Sequence, residues 1–196
     1  MGTRNLTAVM LDGEYKIAQY GQWDGYPKGQ GKTTLTFLLN NDLNLFKEIL
    51  RDVRFITQEE WDEIIENHTD DGSVVYGSEH EEYWKTELAH ISRDLGAAIL
   101  QYVFDGKTNI VKDSLAFAGD SLFCEYAYII DLDKGTFEIY RGFNKEPVTE
   151  GRFLSSDESL EHSEKYEPIA LWKEYRLDNL PTEEQFLKDL DESEDE

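Results

Sequence analysis

The chain has 196 residues, 42 acidic against 19 basic side chains and a formal charge of −23. That balance argues against docking on a nucleic-acid backbone or an anionic membrane, both of which call for clustered Lys and Arg, and it favours solubility or docking on a basic partner. The length suits one domain with a sizeable core, in which aromatic residues at 13% of the chain take a large share. A single cysteine, Cys124, excludes an internal disulfide, fits a reducing cytoplasmic setting, and reads as a buried thiol in an apolar run. No apolar run approaches a membrane span, and 6–11 is too short for a signal-peptide core. Gly2 lacks the Ser or Thr that a myristoylation motif places where this chain has Leu6.

In chain order, 5–11 reads as a strand, Asp12-Gly13 as a hairpin turn and 14–20 as the returning strand. Residues 33–39 and 42–51 carry helical apolar spacing. Thr57-Gln58-Glu59-Glu60 is a capping box, in which the Thr hydroxyl accepts from the third helical N–H and Glu60 reaches back. Apolar residues recur at helical spacing over 79–104, with Gly96 a weak point. A buried strand over 122–132 turns at Asp133-Lys134-Gly135 and pairs back over 136–140. Residues 144–165 are polar and read as a long loop, 169–175 as a further strand, and Pro181-Thr182-Glu183-Glu184-Gln185 as the start of a last helix. The order of strands, helices and strands predicts an α+β fold, with N- and C-terminal β hairpins in a sheet system covered by a central block of helices. Residues 1–190 form the one domain, and 191–196 an acidic disordered tail. The expected core is Leu6, Val9, Ile17, Leu38, Phe46, Ile49, Ile64, Leu88, Ile91, Leu95, Ile99, Tyr126, Tyr128, Ile130, Phe137 and Ile139.

The most specialised stretch is Gln19-Tyr20-Gly21-Gln22-Trp23-Asp24-Gly25-Tyr26-Pro27-Lys28-Gly29-Gln30-Gly31, with four glycines, three aromatics and no aliphatic residue. Glycine permits tight backbone approach, and Trp and Tyr join apolar faces to polar tips. A ligand-binding surface of Arg4, Tyr20, Gln22, Trp23, Asp24, Tyr26 and Gln30 follows, with the amides of Gly21, Gly25, Gly29 and Gly31 turned toward a ligand. The competing reading makes Trp23 and Tyr26 core aromatics and Asp24 a residue that bonds its own backbone. The stretch contains no His, Ser or Cys, which favours binding over catalysis by an unknown protein or small-molecule partner.

Three other chemistries stay open. Gly31-Lys32-Thr33 resembles the end of a phosphate-binding loop, with Tyr128-Ile129-Ile130-Asp131 as its magnesium element, but Tyr26 stands where the loop needs glycine and Gly25 comes one place early. Gly2-Thr3 at a strand start resembles the junction of N-terminal-nucleophile amidohydrolases, which would require Thr3 to begin the mature chain, with Lys16 or Lys32 tuning its amine. The acidity also permits mimicry of a nucleic-acid backbone. His68, His80, His90 and His162 lack metal-ligand spacing, so neither a metal nor a cofactor is expected.

Met1-Gly2-Thr3-Arg4-Asn5-Leu6, then Ala18-Gln19-Tyr20-Gly21-Gln22-Trp23-Asp24-Gly25-Tyr26-Pro27 and Gly29-Gln30-Gly31, resembles an uncharacterised family with phage, bacterial and fungal members. The Cys124-Glu125-Tyr126-Ala127-Tyr128 strand is similar to the same family. The resemblance implies a small intracellular protein of phage or mobile-element origin, and it supplies no catalytic residue.

Overall fold

The computed structural model describes residues 2–68 and 88–191. Strand β1 (Asn5–Leu11) turns through Asp12 and Gly13, both at positive φ, into β2 (Glu14–Gly21). A π-helical turn (Pro27–Gly31) runs directly into helix α1 (Lys32–Asn40), followed by α2 (Leu43–Leu50). The short β3 (Arg54–Phe55) precedes α3 (Gln58–His68). Helix α4 (Ile99–Phe104) and the short β4 (Ile110–Val111) lead to a 3-10 segment, Leu115–Gly119. Strands β5 (Tyr126–Asp131), β6 (Thr136–Arg141) and β7 (Ala170–Arg176) and helix α5 (Glu183–Asp189) complete the described chain.

Both hairpins enter one mixed sheet of order β2-β1-β5-β6-β7. The joint is β1 beside β5, parallel, with Thr7 opposite Tyr128, and every other pairing in that sheet is antiparallel. Asp133 ties the hairpin tips together, its carboxylate accepting from the amides of Asp12 (2.9 Å) and Gly13 (2.8 Å). β3 and β4 form a separate two-stranded parallel ladder.

The strands alternate between two buried faces. Val9, Ile17, Tyr128, Ile130, Phe137 and Ile139 pack with helix residues such as Leu35, Leu38, Phe46, Leu50, Ile99 and Phe186. Leu6, Ala8, Ala18, Ala127, Ile129 and Tyr140 face the other way. The expected helical cover lies on the first face. The second is covered by the 3-10 segment and the polar stretch 142–169, which contributes Phe153, Leu160 and Ile169 to the core. Ile49, Ile64 and Leu95 are half-buried, and the other expected core residues are buried.

Local signals account for the helix starts. The Asp42 carboxylate accepts from the amides of Asn44 and Leu45. Thr57 and Glu60 make both arms of the capping box: Glu60 N donates to Thr57 Oγ1 (3.2 Å) and Thr57 N to Glu60 (2.9 Å). At α5, Thr182 caps the Gln185 amide, while the Gln185 side chain turns to Asp189.

The long helix expected over 79–104 is corrected in its described part. Ala89–Ile91 and Gly96–Ala98 are single 3-10 turns, and only Ile99–Phe104 is α-helical. Gly96 has φ +51°, which ends helical propagation, and a Cβ there would meet the Gln30 side chain at 2.7 Å. Residues 79–87 of that helix, and 192–196 of the expected tail, lie outside the described residues.

Cys124 is fully buried. Burial first, then the carboxylates of Asp120, Glu161 and Glu125, push its thiol well above the usual range. The thiolate is the reactive form, so iodoacetamide should leave native Cys124 unmodified and alkylate it quickly in denaturant. Mass spectrometry of the intact chain checks this.

Candidate functional site

The Gly- and aromatic-rich stretch leaves the sheet at Gly21 and folds back on the start of β1. The Asn5 side-chain amide donates to the carbonyls of Gly21 (3.1 Å) and Trp23 (3.3 Å). Gly25 N donates to Thr3 O at 2.9 Å, and the buried Tyr128 hydroxyl donates to Gly25 O at 2.7 Å. Asp24 has φ +54°, and its carbonyl accepts from Gln30 N at 2.9 Å. The turn closes so tightly that a Cβ on Gly29 would sit 2.1 Å from Asp24 O. Gln30 staples the loop to the following segment, donating from Nε2 to Trp23 O (3.1 Å) and accepting at Oε1 from Ala97 N (2.8 Å).

This corrects the expected role of the glycine amides. Those of Gly25, Gly29 and Gly31 are spent on Thr3 and Tyr26 carbonyls. They hold the loop; they do not present donors to a ligand.

The structure divides the seven expected binding residues among three settings. Gln30 is a half-buried staple that also lines the groove bordered by Asp24. Arg4, Tyr20 and Gln22 gather on one side: the Tyr20 hydroxyl donates to Gln22 Oε1 at 2.6 Å, and the Arg4 guanidinium lies 4.4 Å from the centre of the Phe123 ring. Burial raises the Tyr20 phenol, against the pull of Arg4 and Arg93. Trp23, Asp24 and Tyr26 form an outward crest. Trp23 is 45% exposed and Tyr26 42%, so neither is a core aromatic. Trp23 Nε1 donates to Asp94 at 2.7 Å, which fixes the indole without covering it. Lys28 stands 5.7 Å from the centre of the Tyr26 ring, whose other ring neighbour is Tyr126 at the start of the central strand β5. The Asp24 carboxylate is exposed and makes no hydrogen bond or ion pair among the described residues. It borders an open groove of about 570 Å³ with Lys28, Thr33, Thr36 and Gln101.

The residues of the alternative chemistries are placed as follows. Lys32 pairs with Glu183 at 2.6 Å, and the Thr33 hydroxyl bonds back to Gly29 O. Asp131 lies at the opposite end of β5 from the Gly-rich loop, opposite Met10 in the register. Thr3 is buried, Lys16 pairs with Glu14, and Lys32 is held as above. Among the described residues, no three His, Cys, Asp or Glu side chains group as metal ligands. No described helix is long and apolar enough to cross a membrane.

One ionic cluster escaped the sequence reading. Arg152, from the long polar stretch, reaches Glu138 through Nε (2.9 Å) and Nη2 (2.7 Å) and Asp131 through Nη2 (2.6 Å). Tyr140 and Thr136 donate to Glu138, and the amides of Asp133 and Lys134 donate to Asp131. Burial raises both carboxyls, but the guanidinium and these donors outweigh it and hold both below the ordinary range. With every member bonded, the cluster anchors 142–169 to the sheet. The available signal was an Asp and a Glu at inward positions of otherwise apolar strands.

No protein-family model matches the chain, and no curated protein or solved structure matches it.

Proposed function

We propose that the chain is a binding module whose crest of Trp23, Asp24 and Tyr26 docks a basic segment of a partner protein. The observation that carries this reading is an exposed Trp and Tyr flanking an unpaired carboxylate on a loop whose backbone is bonded from both sides. Three residues of chain span at most ~11 Å, so one short segment can touch both rings. Aromatic faces attract Lys and Arg side chains, a carboxylate orients them, and a net charge of −23 steers a cationic partner inward. A loop already fixed in shape loses little entropy on binding. The internal bonds of Gly25, Gly29 and Gln30 serve that fixing.

A fluorescein-labelled Arg- and Trp-containing peptide, titrated by anisotropy, tests the reading. Binding should weaken steeply with salt. Trp23→Ala should lower affinity about tenfold or more, and Asp24→Asn several-fold, with the thermal midpoint nearly unchanged. Unchanged peptide affinity in both variants, or unfolding of Trp23→Ala, would show that the crest is only a structural loop.

A further inference from the structure

A second site lies beside the exposed edge of β2. Two straps cover that edge: Ser114 N donates to Ala18 O, and Gln22 N donates to Arg93 O, each at 2.9 Å. Between them, at Gln19 and Tyr20, the edge opens into a cavity of about 370 Å³. Such a volume falls in the range of small-molecule sites, ~300–1,000 Å³. The Tyr20 and Phe117 rings, packed edge to face with centres 4.9 Å apart, supply its aromatic surface.

Arg93 and Lys112 both line the cavity, and neither makes an ion pair among the described residues. What distinguishes them is that both line one cavity that two aromatic rings also wall. Lys112 is half-buried, its Nζ 3.8 Å from the centre of the Trp61 ring, and burial lowers its pKa. Gln19 lines the cavity as well. Its side chain is buried, and its Nε2 is committed to the carbonyls of Tyr20 (2.8 Å) and Ser92 (2.9 Å). Those two bonds fix the amide orientation and leave Oε1 an acceptor without a donor. Oε1 is sealed from solvent, and so from the contents of the cavity, so Gln19 serves as fixed wall and not as a ligand contact. The rim also carries Asp113, one of whose oxygens accepts from Leu115 N, and the exposed Glu161.

We infer that this cavity binds a small planar molecule carrying one acid group, carboxylate or phosphate. The acid group meets Arg93 and Lys112, and the ring packs on Tyr20 and Phe117. Rim carboxylates balance the two cations, so recognition is short-range and a bare anion has no advantage over bulk solvent. The site is separate from the crest, which faces a macromolecular partner.

The test is an amide-resolved NMR titration of the full chain with 4-aminobenzoate, with phenyl phosphate, and with aniline as the ring without an acid. At least one of the two acids should shift the Tyr20, Ser114 and Phe117 amides saturably at millimolar concentration, and whichever does so identifies the acid group. Aniline should leave them in place. Arg93→Gln and Lys112→Gln should each weaken that binding about tenfold. Both side chains lie at the surface of the cavity, and an unchanged thermal midpoint shows the fold intact. Trp23→Ala should leave acid binding unaffected, which separates this site from the crest. Absence of saturable shifts with both acids, equal shifts with aniline, or full affinity in both charge variants would overturn the inference.

Discussion

Arg152→Ala should cost the fold about 3–5 kcal/mol, the usual result of removing one partner from a buried ion group. The side chains of Asp131 and Glu138 are 1% and 4% exposed, so water cannot replace the lost guanidinium. The loss is large against a total stability of roughly 5–15 kcal/mol, and urea unfolding at neutral pH measures it. Arg152→Met, which keeps much of the side-chain volume, should be destabilised nearly as much, because the charge and not the packing is missing. The sign of the pH dependence follows from the two carboxyls. Both have folded values below their unfolded ones. Their contribution is therefore present above the unfolded value of ~4 and is lost as pH falls through the folded values. In Arg152→Ala the same carboxyls are buried without a cation, so protonation relieves them. The stability gap between wild type and variant should start to narrow above pH ~4, where the variant's uncompensated carboxyls take up protons, and keep narrowing as pH falls through the lowered wild-type values. A gap that stays constant would mean that Arg152 contributes through packing alone.

Gly29→Ala should destabilise the protein by about 1–3 kcal/mol, the cost of forcing a methyl into a filled space, and should abolish binding at the crest. The clash is with the backbone carbonyl of Asp24, which cannot swing aside as a side-chain end does. Relief requires breaking the Gln30 N to Asp24 O bond, and that bond sets the position of the Asp24 carboxylate between the two exposed rings. Denaturant unfolding and the peptide titration should fail together in this variant. Trp23→Ala should lose peptide binding alone. A Gly29→Ala protein with full stability would show that the turn closes less tightly than a 2.1 Å approach demands.

The seven-residue surface was only partly legible. Trp23, Asp24 and Tyr26 are exposed, Gln30 is a half-buried staple that lines the groove beside Asp24, and Tyr20 lines a different cavity. Gln30 in isolation looks like any polar loop residue. Its role is defined by Ala97, 67 residues further along the chain. The cavity at Tyr20 was hidden for the same reason, since Arg93 and the stretch holding Lys112 and Phe117 lie more than seventy residues further along the chain.

What the sequence alone determined is the part of the structure controlled by near neighbours. Asp12-Gly13 made the first turn because both residues accept positive φ, and Asp42, Thr57 and Thr182 started helices because their side chains reach amides two or three residues on. Alternating apolar residues sufficed for the strands and for the α+β class. Tertiary structure decided the rest. It set β1 parallel to β5, laid 142–169 over the second sheet face through Arg152, and broke the segment before α4 at Gly96 to accommodate Gln30. It also closed the Gly-rich loop through the Tyr128 hydroxyl, 103 residues from the carbonyl it holds. Propensity and periodicity are properties of a window of a few residues. Contacts across a hundred residues depend on which surfaces exclude water together, and that is fixed only when the whole chain packs.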